Sequence, residues 1–507
     1  MNSGKTKRIL TGLLAVCLTA AMTGCSGRNS EDRQPSPTLA PARVEYQAPD
    51  GDRAVRRAGY YTVYLPDSNE LQLASRTVYL EEVNLETTAE TLVRMLLEED
   101  GSRGENRRTL SLYRGKTPEI SGGICTVNLD PTALQLDYRE YYMLSVALAT
   151  TLCSLNEING VNVLTADRSA ALDTAGNLAM GTLTAHPGEN LPVLWEQMAA
   201  KRTPLGNDVS RTPLSAAATV YYPLTEGRGI GCESRMMTFP GQTPNQMAET
   251  LLSALSESVR NRNGNEDVPE LEEYLLHLPV TSELEDGGKL VTVSFRENIG
   301  DMLEKWDTDL PCLIAAVTCT LTTFIPGVAA VCVRIGDKPV TEMSNDRYST
   351  GTILGGLVHR SDAEIFLTGS ISVYFEKNGK LTVCSKPVER ELADSPRMML
   401  EALIEGPDRK ERESGVSATL PEAINEDDIL GIASEGDMLL VNLSEVVRSE
   451  IRSAGPEKEA LLCYSMVNTL CLNSGLRRVC FFFEGQQAET VAGEIYWGGE
   501  FIYNPGI

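Results

Sequence analysis

The sequence predicts an α+β protein of three tandem small domains, each a mixed or antiparallel sheet with two helices packed on it. Two observations carry that prediction. The triplet Val63-Tyr64-Leu65 returns as Val220-Tyr221-Tyr222 and as Val373-Tyr374-Phe375, after 157 and 153 residues, a period of domain length and not of a solenoid unit. Further landmarks follow in the same order in each copy. Gly160, Gly327 and Gly475 stand 33, 34 and 34 residues after Val127, Val293 and Val441.

Residues 1–25 come first, with basic Lys5, Lys7 and Arg8, an uncharged apolar run from Ile9 to Ala21, and the small-residue stretch Ala21-Met22-Thr23-Gly24-Cys25. That layout is an export signal with its cleavage site. A cysteine directly after Gly24 resembles the bacterial lipobox, with Met22 where Leu is usual, and the resemblance implies lipid attachment at Cys25. The apolar run is short of the roughly 20 residues a spanning helix needs. A diacyl chain would instead hold the protein to the membrane at about 0.8 kcal/mol per buried methylene. Residues 26–57 carry Pro35, Pro37, Pro41, Pro49 and Gly51 with little apolar periodicity. They read as a flexible linker that reaches about 30 Å.

The three domains are expected at 58–200, 215–365 and 368–507. In each, the Val-Tyr triplet opens a strand, and a helix follows with apolar residues at three- and four-residue spacing: Ala89 to Leu97, Ala248 to Leu255, Met398 to Ile404. Thr87 or Thr88, Thr243 and Ser395 are the expected N-caps, with Pro244 and Pro396 just inside. Glycines at 122–123, 287–288 and 436 then turn the chain into the alternating strands Cys125–Leu129, Leu290–Phe295 and Leu439–Leu443. A second, more apolar helix is expected to end at each landmark glycine as its C′ residue. A strand follows at once, and a glycine-flanked tail closes the unit. The uncharged run Leu310 to Val333 falls at this helix, glycine and strand. Its counterparts Tyr142 to Leu164 and Ala460 to Phe482 make it buried core and not a membrane span.

Composition limits the functions. A net charge of −25 argues against nucleic acid and against an electrostatic grip on anionic surfaces. Ten cysteines follow the signal, none in a Cys-x-x-Cys pair, and they read as buried thiols, with disulfides open to an exported chain. Three scattered histidines, His186, His277 and His359, give no metal cluster. No nucleophile elbow, phosphate loop or His-Glu-x-x-His motif is present. What the copies share is glycine and apolar residues, so no catalytic residue, cofactor or metal is expected. Carboxylates at 81–82, 98–100 and 426–428 read as solvated faces. The aromatics Tyr496, Trp497, Phe501 and Tyr503 read as core of the third domain, with a sugar-stacking or partner surface as the alternative.

Taken together, the Val-Tyr strand, the Ala-Glu-Thr-Leu helix, Leu400 to Pro407 and Val441-Asn442-Leu443-Ser444 resemble the GerM domain of sporulation and spore germination proteins. The resemblance implies an extracytoplasmic structural or assembly lipoprotein, tethered to the cell membrane through Cys25. It implies protein partners in an envelope complex, or self-association through exposed strand edges. The alternative is a module that binds cell-envelope glycan or peptide in clefts between domains.

Overall fold

The computed structural model describes residues 46–507 apart from 68, 102–108, 187–189, 205 and 264–267. Cys25, the rest of the signal and the linker up to residue 45 lie outside the described residues.

Each unit opens on an antiparallel hairpin: Arg57–Asp67 with Gln72–Glu82, Leu214–Pro223 with Ile230–Phe239, and Gly369–Lys377 with Lys380–Val388. The Val-Tyr triplets therefore sit within the first strand instead of starting it. The partner strand of the first hairpin, Gln72–Glu82, escapes a periodicity search because it is largely exposed and polar. A helix follows, Leu85–Gly101, Pro244–Asn263 or Pro396–Glu405. Next come two more antiparallel strands: Glu119–Ser121 with Ile124–Leu129, Leu275–Glu283 with Lys289–Phe295, and Ile429–Glu435 with Met438–Leu443. The second helix, Tyr138–Leu152, Leu310–Phe324 or Pro456–Ser474, crosses to a parallel neighbour strand, Gly160–Thr165, Val328–Ile335 or Arg478–Phe483. The α+β class holds, with mixed sheets, and each unit carries two sheets.

That second sheet explains the composition of the second helix. It packs against the opening hairpin on one side and against the mixed sheet on the other, so it has no solvent face. Cys312 through Phe324 are all buried. The apolar run 310–333 is thus a middle-layer helix and a central strand. Among the described residues no helix is long and apolar enough to cross a membrane.

Local chemistry corrects several expected ends. Asn84, and not Thr87 or Thr88, caps the first helix, its Oδ1 accepting from Thr87 N at 2.8 Å. Thr243 and Ser395 do cap theirs. Only Gly475 is a left-handed helix cap, at φ 67°. Gly327 lies beyond Ile325, the cap of its helix. Gly160 ends no helix: that helix stops at Leu152, and Gly160 is already strand, its N–H and that of Asn159 donating to the Gly123 carbonyl. The equal spacing thus tracks the strand entry, which is common to all three units, while helix lengths differ. Gly122 and Gly123, both at positive φ, make the two-residue turn between Ser121 and Ile124.

The first and second units share one continuous apolar core, from Val63 to Leu367. The third has its own, from Ile371 to Phe501. The aromatic group divides: Trp497 and Phe501 are buried in that core, whereas Tyr496 and Tyr503 are 49% and 38% exposed. The ten cysteines among the described residues are free, eight of them buried, with Cys153 and Cys384 half-buried.

Candidate functional site at the seams between units

The polar residues that stand out lie where units meet. At the seam of the first two, the outer face of the first mixed sheet receives the second unit's opening hairpin. Asn162 Nδ2 reaches Thr219 Oγ1 at 3.1 Å, Thr182 Oγ1 bonds Asn162 at 2.8 Å, and Thr182 N donates to the Ala217 carbonyl at 2.9 Å. Beside them Arg360, 0% exposed, bonds Glu119 at 2.6 Å, Thr323 Oγ1 at 2.7 Å and the Tyr221 hydroxyl at 3.3 Å. A buried guanidinium is tolerated only with such partners.

Glu364 neighbours this pair and is held by Lys116 Nζ, 2.9 Å from both its oxygens, while Lys116 also reaches Asp167 at 3.1 Å. Burial opposes ionisation of Glu119, but the Arg360 charge outweighs it and holds that carboxyl below its usual range. Burial, with the Glu119 charge behind it, instead pushes Glu364 up to about 7. Two carboxylates side by side thus divide their roles, one ionised on arginine and one sharing a proton near neutrality.

The seam between first and third units is ionic. Arg57, held within the first unit by Glu157, reaches across to the third, 3.7 Å from Asp394 and donating to the Asn473 carbonyl at 3.1 Å. Asp394 also accepts from Leu85 N at 2.7 Å, and Arg390 reaches Glu86 at 2.7 Å. Gly475 lies directly under Arg57, where a Cβ would come within 2.2 Å of Nη2. The helix cap therefore doubles as clearance for the arginine. Residues 49–56, assigned above to the linker, run along the third unit. Arg53 N donates to the Ile432 carbonyl at 2.8 Å, Asp52 accepts from Ile432 N at 3.0 Å and pairs with Arg397, and the Pro49 carbonyl accepts from Asn442 at 3.1 Å.

Two clefts follow these seams. One, of about 710 Å³, is lined by residues of all three units, including Lys116, Arg347, Tyr348, Glu364 and Glu389. The other, of about 430 Å³, lies between the first and third and presents Ser121, Asn159, Ser370 and Ser385. Among the described residues no three His, Cys, Asp or Glu side chains converge as a metal site. Burial pushes the Cys232, Cys319 and Cys471 thiols up to about 12, which keeps them protonated and poor nucleophiles.

One polar position does recur, which the sequence reading missed. The backbone N–H of the triplet tyrosine donates to a threonine of the second helix in every unit: Tyr64 to Thr151 at 2.9 Å, Tyr221 to Thr320 at 2.9 Å, Tyr374 to Thr469 at 3.1 Å. All three threonines are buried. A hydroxyl in an otherwise apolar helix was the available signal. Its partner is strand backbone, so it fastens hairpin to helix. In the third unit the buried Glu459 does similar work, accepting from Ala492 N, Glu494 N, Ile495 N and Trp497 Nε1 at 2.6 to 3.0 Å. Of the carboxylate groups, Asp428 is buried against Ser444 Oγ at 2.6 Å and Glu81 is exposed beside Arg56.

Three copies of one α+β unit, fused through paired charges and, among the described residues, without a convergent metal cluster, define a tandem-domain protein whose repeated plan is architectural. Residues 372–489 match the family described as Germane, sporulation and spore germination. That match lies within the third unit. Among solved structures it is similar to the tandem GerMN domains of the sporulation protein GerM from Bacillus subtilis, at 15% identity and a TM-score of 0.23, covering 58% of this chain and 98% of that one. It is also similar to a putative lipoprotein from Clostridium perfringens, at 20% identity and a TM-score of 0.19, covering 27% and 87%. No curated protein matches the chain.

Proposed function

We propose that the chain is a membrane-anchored, extracytoplasmic scaffold or assembly lipoprotein of sporulation or spore germination, non-catalytic, and attached through Cys25. The observation that carries this reading is the use made of buried charge. Arg360, through Glu119, and Arg57, through Asp394 and the Asn473 carbonyl, are spent on holding units to one another, and the recurrent threonines on holding hairpin to helix. Such a body presents fixed surfaces to protein partners. The signal-like residues 1–25 support export and anchoring, and the match over residues 372–489 supports the process.

Crosslinked affinity purification of the native protein from sporulating cells tests the scaffold. Recovery of envelope proteins is expected, and recovery of lipid and glycan alone overturns it. Cys25→Ala should release the protein from the membrane with its three units still folded, and retention at the membrane would remove the anchor. A second reading, binding of envelope glycan or peptide, is favoured by the two clefts between units. Saturable binding of muropeptides, lost on substituting Ser370 and Ser385, would support it.

A further inference from the structure

Three equivalent sheet faces exist in the chain, and two are covered from within. In the first unit the row Glu119, Thr126 and Asn162 crosses the mixed sheet and is buried under the second unit's hairpin, through Thr219 and Tyr221. In the third, residues 49–53 lie across the matching region, bonded to Asn442 and Ile432. In the second, the matching row is Val280, Thr292, Cys332 and Leu357. No hairpin lies on it among the described residues. Val280 is 56% exposed, and Leu278 beside it 65%. No member of the row is itself charged, although Cys332 is only 7% exposed and lies against the Arg334 side chain.

The hairpins show the complementary gap. Aligning Val63 with Val220 places Tyr60, Thr62 and Tyr64 where Ala217, Thr219 and Tyr221 make the internal seam. That face of the first hairpin is open: Tyr60 is 74% and its cross-strand neighbour Tyr79 56% exposed, their rings 5.3 Å apart edge to face. The third unit's corresponding residues, Ser370 and Ser372, already face the cleft toward the first unit. Among the described residues, one outer sheet face and one hairpin face thus remain without their internal counterparts.

We infer that they serve each other between molecules: the first hairpin of one copy docks, through Tyr60, Thr62 and Tyr79, on the second-unit sheet face of another, at Val280 and Thr292. The contact repeats the seam that already joins the first two units, so the chain supplies its own template for the geometry. At a net charge of −25 copies repel one another, and a contact between uncharged rows is where that repulsion is least opposed to docking. Such a contact is heterologous, leaving the same two faces free at the ends of any assembly. It rests on the scaffold reading only in supplying that scaffold with a second copy as partner.

Full-length protein in detergent, carrying either Tyr60→Cys or Val280→Cys, tests this with a short bifunctional maleimide. Mixing the two variants should give a crosslinked dimer, at least tenfold above either variant alone and above the parent chain. The double variant should give a ladder. In sedimentation, Tyr60→Glu and Val280→Glu should each weaken association at least tenfold, and both sites are exposed enough to tolerate the change. Dimers from Val280→Cys alone would mean a symmetric contact and overturn the proposal. So would a monomer at every concentration, or protection of Val280→Cys from maleimide in the monomer, which would show residues outside those described covering the face. A monomer that still captures envelope proteins would leave the scaffold reading standing without self-docking. Association with no envelope partner would do the reverse.

Discussion

The two seams of this molecule join similar units by different physics. Between the first and second units the apolar core is continuous, and the polar groups there, Asn162, Thr219 and Arg360, are buried. Between the first and third, the cores are separate, and the join consists of Arg57 with Asp394 and the Asn473 carbonyl, Arg390 with Glu86, and the strap at Asp52. A shared core makes two units fold as one, because neither can bury its outer face alone. An ionic seam instead docks a unit that has its own core, and so can be loosened without unfolding it.

Four tests would break or sharpen this contrast. Arg360→Met leaves Glu119 buried without its cation, which should cost about 3–5 kcal/mol. Denaturant unfolding should show the first two units weakened together and the third unmoved. Loss confined to the second unit would contradict a shared core. Arg57→Met should cost about 2 kcal/mol and expose the third unit's seam to protease, splitting a single thermal transition into two. Smaller still are Thr320→Val and Thr469→Val, each leaving one strand N–H unpaired for about 1–2 kcal/mol. The first should lower stability of the fused pair, the second that of the third unit only.

The fourth concerns pH. A carboxyl raised in the folded state favours the protonated form, so its stabilisation is full below its unfolded pKa and is lost as pH rises through its folded value. For Glu364 that window runs from its ordinary 4.5 to about 7. Urea midpoints of the fused pair should fall across that range, less steeply in Glu364→Gln. Equal slopes in the two proteins would show that another group titrates.

Much of the fold was legible because it is written in local spacing. Apolar residues three and four apart marked the first helices, and Thr243 and Ser395 were readable caps because an N-cap bonds only a few residues ahead. The second strand of each hairpin was not legible, since exposed stretches such as Arg76-Thr77 carry no core pattern. Gly160 misled for a related reason. Constant spacing located the strand entry but could not say where the preceding helix stopped. Of the seams almost nothing was visible: Glu119 and Arg360 are 241 residues apart, and Arg57 was assigned to a linker.

The sequence by itself determined the layout of the unit and its threefold repetition, because turn glycines, caps and apolar periodicity act within a few residues of where they stand. It also carried the apolar composition of the second helix, fullest from Cys312 to Phe324. The tertiary structure alone decided why: that helix is a middle layer between two sheets. It likewise decided which units share a core, which charges are buried together and which faces stay open, since each depends on how far-separated segments cover one another's surface, and no local spacing records that.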